Sequence, residues 1–150
     1  MTLNKSNRRD FLKQTTTGII AAGIVTDSFA ASSGQIPTRP LGATGVDISL
    51  LGVGGYHVGT SKDEMEAIRF LHEAVDMGVT FMDNAWEYHN GRSEELMGKA
   101  LQGKYREKAF IMTKHHGRDK KTAMQHLEDS LRQFKTDVID LWQFHEVVYD

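Results

Sequence analysis

The chain has 150 residues, 39% of them hydrophobic and 25% charged, with a formal charge of −2. That balance excludes a disordered chain and offers no basic surplus for a nucleic-acid partner. Cysteine is absent, which excludes disulfides, thiolate metal sites, iron–sulfur clusters and a cysteine nucleophile within these residues.

Residues 1–30 read as a separate segment. Lys5, Arg8, Arg9 and Lys13 precede a weakly apolar run from Gly18 to Val25, and Ser28-Phe29-Ala30 supplies small residues of the kind a signal peptidase cuts after. The stretch from Asn7 to Lys13, built around Arg8-Arg9, resembles the twin-arginine export motif, with Asn7 at its usual Ser/Thr place. The resemblance implies recognition by the twin-arginine export machinery, which carries folded proteins, and a periplasmic location. The apolar run is shorter than the roughly 20 residues of a membrane span, so no stable span is expected after the signal is removed. Beyond Ala30 the chain carries 14 basic and 18 acidic side chains, again without the character of a nucleic-acid groove.

Residues 31–37, with Ser32, Ser33, Gly34 and Pro37, read as a linker. Arg39-Pro40-Leu41 and Val46-Asp47-Ile48 flank Gly42-Ala43-Thr44-Gly45 and predict a β-hairpin with a four-residue turn. Leu50 to Gly55 predicts a short buried strand running into glycines, where backbone can approach a ligand. Ser61 and Glu64 form a capping box, and Met65, Ile68, Leu71, Ala74 and Val75 recur at helical spacing, predicting a helix over 62–77 closed by Gly78. His72 within it reads as a surface or edge residue.

Val79, Phe81 and Met82 make a second strand stopping at Asp83, and Ser93–Leu101 a helix ending near Gly103. Ala109–Thr113 is a third strand ending at Lys114. Residues 121–134 form a helix with Ala123, Leu127, Leu131 and Phe134 on one face, and Val138–Phe144 is a fourth strand ending at His145. The strand starts repeat at about 29 residues, the length of a βα unit. Four such units call for a parallel sheet, either an open doubly wound one or half of an eight-fold barrel. Gly52-Val53-Gly54-Gly55 breaks the G-x-G-x-x-G spacing of an open dinucleotide sheet. Polar residues close strand after strand instead, and in a barrel these converge on one mouth. The expected fold is α/β, a (β/α)8 TIM barrel of which only the amino-terminal hairpin and the first four βα units are present, over residues 38–150.

Asp83, Tyr88, Lys114 and His145 together resemble the catalytic tetrad of the aldo-keto reductases. The motifs are Asp83-Asn84-Ala85-x-x-Tyr88, Gly91-x-Ser93-Glu94-x-x-x-Gly98-x-Ala100-Leu101, Thr113-Lys114 and Asp140-Leu141-Trp142-x-x-His145. Arg39-x-Leu41-Gly42-x-Thr44-Gly45 and Leu51-Gly52-Val53-Gly54 look like that family's hairpin and first strand. The resemblance implies NADPH-dependent reduction of an aldehyde or ketone, with NADH as a second candidate cofactor. Tyr88 is then the proton donor, Lys114 its activator, Asp83 the partner of the lysine and His145 the residue that orients substrate. A tyrosine with a solution pKa of about 10 is a poor acid at neutral pH, and a nearby ammonium eases its ionisation.

Gly54, Gly55, Tyr56 and Asp83 are the implied cofactor contacts, although the family often has Gly-Thr-Trp where this chain has Gly54-Gly55-Tyr56. Trp86, Glu87 and His89 surround the tyrosine and are candidates to touch substrate. His115-His116 reads as part of a solvated loop rather than a metal site. In the family the second half of the barrel carries most cofactor contacts, so the sequence is expected to be the amino-terminal part of a longer protein, with little activity alone. Two other readings remain: a non-catalytic exported binding or assembly module, and a periplasmic sugar oxidoreductase with a tightly held cofactor.

Overall fold

A computed structural model describes residues 36–148. The export signal expected over residues 1–30 and most of the linker over 31–37 lie outside the described residues. Two short strands come first, β1 (Thr38–Pro40) and β2 (Asp47–Ser49), paired antiparallel with Thr38 opposite Ser49. Leu41 N donates to Val46 O at 2.8 Å, closing the expected four-residue turn, and Gly42 and Gly45 take the positive φ values that the turn requires.

Four parallel strands follow: β3 (Gly52–Gly54), β4 (Phe81–Asp83), β5 (Phe110–His115) and β6 (Leu141–Phe144), hydrogen-bonded in chain order. Their starts at 52, 81, 110 and 141 keep close to the predicted period. Between them lie α1 (Gly55–Thr60), α2 (Glu64–Asp76), α3 (Arg92–Ala100), α4 (Lys104–Lys108) and α5 (Lys120–Phe134). This is an α/β fold with a parallel sheet and an added hairpin, consistent with part of a TIM-barrel-like architecture. The hairpin joins the amino-terminal ends of the strands: Ser49 Oγ accepts hydrogen bonds from Thr80 N at 2.9 Å and Phe81 N at 3.1 Å.

Alternation along the strands sorts their side chains. Val53, Met82 and Ile111 are buried and join Leu71 and Val75 of α2, Leu96 and Met97 of α3, and Phe134 of α5 in one core. The opposite face, with Phe81, Asp83, Phe110 and Lys114, is half-buried. Full burial of a side chain such as Leu71 contributes roughly 1.5–3 kcal/mol, so the helix-facing side supplies most of the cohesion. Among the described residues no helix is long and apolar enough to cross a membrane.

Several local expectations are corrected. Helix α2 is capped by Asp63, not by a Ser61–Glu64 box: Asp63 Oδ1 accepts from Met65 N at 2.9 Å and Glu66 N at 3.2 Å. Leu50 and Leu51 are exposed and precede β3, because the chain is leaving the hairpin there. Residues 138–140 precede β6; Asp140 Oδ2 accepts from Ile111 N at 2.8 Å and pairs with Arg106. His72 sits half-buried at an edge, as expected, where its Nε2–H donates to Ala100 O at 2.8 Å and its ring stacks on Tyr105 at 3.8 Å. His115 belongs to β5 and is buried against Trp142, its ring centroids 4.0 Å apart. Finally, α5 buries His126 and Ser130 beside Phe134, while Leu127 and Leu131 are only half-buried.

Candidate active site

The carboxyl ends of β3 to β6 bring the predicted residues together. Asp83 closes β4 and Lys114 lies near the end of β5, both on the half-buried face. The Lys114 ammonium donates to Asp83 Oδ1 and, at 2.6 Å, to the carbonyl of Asn84. Asn84 holds the turn that makes this possible: its backbone N donates to Met112 O at 2.9 Å, and its buried side-chain oxygen accepts from Ala85 N at 2.8 Å.

Past that turn, Tyr88 swings back over the mouth. Its ring lies 5.5 Å from the Lys114 ammonium and meets the His145 ring edge to face at 5.6 Å. On its other side the Tyr56 ring stands at 5.4 Å. The tyrosine is placed by helix geometry as well as by the loop: Gly91, with φ +86°, precedes α3, and Gly91 N donates to Tyr88 O at 3.2 Å. All four members of the expected tetrad therefore meet at one place.

The electrostatics differ from the simple expectation. The Tyr88 phenol is pushed above its ordinary value, first by burial and then by the negative charges of Asp83, Glu87 and Glu146. Lys114 was expected to ease phenol ionisation. Its ammonium, held by Asp83 and the Asn84 carbonyl, stands 5.5 Å from the ring.

Of the expected cofactor contacts, Gly54 faces open space and Tyr56 is half-exposed beside Tyr88. Gly55 does not face the mouth. It is buried, and a Cβ there would stand 2.5 Å from the Asn84 side chain, so its bareness serves packing.

The neighbours of the tyrosine divide as well. Trp86 turns away to stack on His126 at 3.7 Å, and its indole N–H donates to Asp129 at 3.3 Å. His89 donates from Nε2 to Tyr56 O at 2.9 Å, fixing the short helix α1 beside the loop. Glu87 stays at the site and contacts both His116 and His145. Only its place beside Tyr88 marked it in the sequence.

A second polar cluster lies behind the sheet. Glu94 of α3 is fully buried and accepts hydrogen bonds from Thr113 Oγ1 of β5 and, at 2.9 Å, from Ser130 Oγ of α5. Burial raises its carboxyl from 4.5 to about 7, with the two hydroxyl donors opposing the shift. Nothing in the spacing of Glu94 alone predicted this, because the three residues come from separate elements.

Comparison with known proteins agrees with this geometry. Residues 50–150 match the Aldo/keto reductase family, and the chain belongs to that family. It is 34% identical over 119 residues to the uncharacterized oxidoreductase YqkF of Bacillus subtilis (strain 168), covering 71% of this chain and 38% of that protein. The solved aldo-keto reductase AKR11C1 from Bacillus halodurans, in its holo form, superposes with a TM-score of 0.65 at 30% identity, over 74% of this chain and 40% of that one. An aldo-keto reductase from Klebsiella pneumoniae, solved in complex with NADPH, gives a TM-score of 0.61 at 28% identity, over 67% and 36% of the two chains. The chain thus spans well under half the length of each of these relatives.

Proposed function

We propose that the protein reduces an aldehyde or ketone to an alcohol, with NADPH as the hydride donor and Tyr88 as the proton donor, within a (β/α)8 barrel. The observation that carries this reading is the convergence of Tyr88, Lys114, Asp83 and His145 at one mouth. The NADPH complex of the Klebsiella relative supports the cofactor. The residues present fit a nicotinamide: Gly54 offers bare backbone to open space, and Tyr56 offers a half-exposed ring next to Tyr88.

A reduced nicotinamide bound there supplies a hydride to the carbonyl carbon. The protein's part is the proton. As the carbonyl oxygen gains negative charge, the Tyr88 hydroxyl gives its proton to that oxygen, and the developing phenolate is stabilised by the Lys114 ammonium on its ring side. Asp83 holds the ammonium in place throughout. His145 flanks the same phenol and orients the carbonyl oxygen.

Substituting Tyr88→Phe in the full-length protein is expected to lower carbonyl turnover by about 10²–10⁴-fold with NADPH affinity unchanged. Persistence of turnover at the parental rate would remove Tyr88 from the role of donor.

The Arg8-Arg9 motif supports export through the twin-arginine route to the periplasm. Residues 1–30 fused to a reporter that crosses only when folded should carry it out of the cytoplasm, and changing both arginines to lysine should stop it. A reporter retained with the native arginines would defeat the export reading.

A further inference from the structure

Glu87 stands one residue before Tyr88, and its carboxylate is shared between two imidazoles. Oε2 is 3.0 Å from His116 Nδ1, while Oε1 lies 2.5 Å from His145 Nδ1 without hydrogen-bond alignment. The two histidines follow different strands, His116 after β5 and His145 after β6, so only the parallel pairing of those strands brings both to one acid. Among the described residues, His145 Nδ1 is sealed from solvent and has no other partner. Leaving such a nitrogen unpaired is unfavourable, and the Glu87 carboxylate is the acceptor within reach.

The main chain at His145 is already held. Its N donates to His115 O at 2.8 Å, and Arg118 Nη2 donates to its carbonyl at 2.8 Å. Ring rotation is the freedom that remains. A carboxylate that takes the Nδ1–H removes it, selecting one tautomer and leaving Nε2 as the free nitrogen.

We infer that Glu87 is a positioning residue of this site, holding the Nδ1 proton of His145 so that Nε2 is presented to the oxygen bound at Tyr88, while its second oxygen ties the pair to His116. In that orientation a charged ring donates Nε2–H to a carbonyl oxygen, and a neutral ring accepts from the alcohol formed. This role rests on the reductase reading above.

The test reads the tautomer directly. Proton–nitrogen correlation spectra of histidine-labelled full-length protein are compared for the parent, Glu87→Gln and Glu87→Leu. The parent and Glu87→Gln keep the His145 proton on Nδ1, since an amide oxygen also accepts it; Glu87→Leu moves it to Nε2. Glu87→Ala serves the same comparison should the leucine variant fail to fold. With an alcohol substrate and the oxidised cofactor, where the neutral ring must accept, Glu87→Leu lowers kcat by about 10-fold or more with cofactor affinity unchanged, and Glu87→Gln loses less. An unmoved tautomer, or parental kcat in both variants, overturns the role of Glu87. The tautomer is read without substrate or cofactor, so an absence of carbonyl turnover would count against the reductase reading and leave the tautomer result to decide Glu87 alone.

Discussion

Lys114 carries its ammonium across from β5 to the carboxylate of Asp83 at the end of β4 and bonds the Asn84 carbonyl beside it. The ammonium side chain is only 15% exposed, whereas Asp83 is 43% exposed. The cation is therefore the enclosed partner, held under the Tyr88 ring by an acid that water still reaches. Replacing Lys114→Met keeps the length of the side chain and removes the charge. Turnover in the full-length protein is expected to fall by about 10²-fold or more. Undiminished turnover would make the pair a structural clasp between neighbouring strands.

The Tyr88 phenol titrates above its ordinary value because burial and three nearby acids disfavour the phenolate. Removing one acid relieves part of that. Glu146→Gln is expected to bring the phenol down toward its ordinary value, seen as an earlier rise of phenolate absorbance in an alkaline titration, with Tyr88→Phe as the reference. An unchanged titration would remove Glu146 from the causes of the shift.

Glu94 sets a pH dependence of stability. Its carboxyl is raised from 4.5 to about 7 in the folded protein, so between those values the folded state holds a proton that the unfolded chain has released. Stability is therefore greatest below the lower value and declines as pH rises toward the upper one, by about 3 kcal/mol in all. Asp129, on the same side of α5, adds to the effect, and the Thr113 and Ser130 hydroxyls oppose it. Glu94→Gln should flatten the profile and be the more stable protein at pH 8. Parallel denaturation profiles for the two proteins from pH 5 to 8 would defeat this account.

Helices α3 and α5 touch through a glycine. A Cβ at Gly98 would stand 2.3 Å from the Gln133 carbonyl and 2.7 Å from the Phe134 backbone. Backbone cannot step aside as a side chain does, so Gly98→Ala is expected to destabilise by about 1–3 kcal/mol. Urea unfolding measures it, and a neutral result would mean that the helices slide freely.

The repeating pattern was legible along the chain because strand and helix periods depend on local alternation. Four parallel strands appear in the predicted order, with Asp83, Lys114 and His145 near their carboxyl ends and Tyr88 reaching them from the loop after β4. Helix α1 was not legible. Gly55 and Gly59 signal a loop, yet both are small because the helix presses on Asn84, His89 and Ser93. The buried face of α5 was misjudged for a related reason: His126 and Ser130 look polar until Trp86 and Glu94 arrive from other elements.

By itself the sequence determined which residues end each strand, and thereby which side chains could share a mouth. Only the tertiary structure decided how their charges and donors are spent. Lys114 is engaged by Asp83 and a carbonyl, Glu87 stands between two histidines, and Glu94 is enclosed with two hydroxyls. Spacing along one chain sets register, whereas desolvation and pairing depend on atoms brought together from strands and helices far apart in sequence.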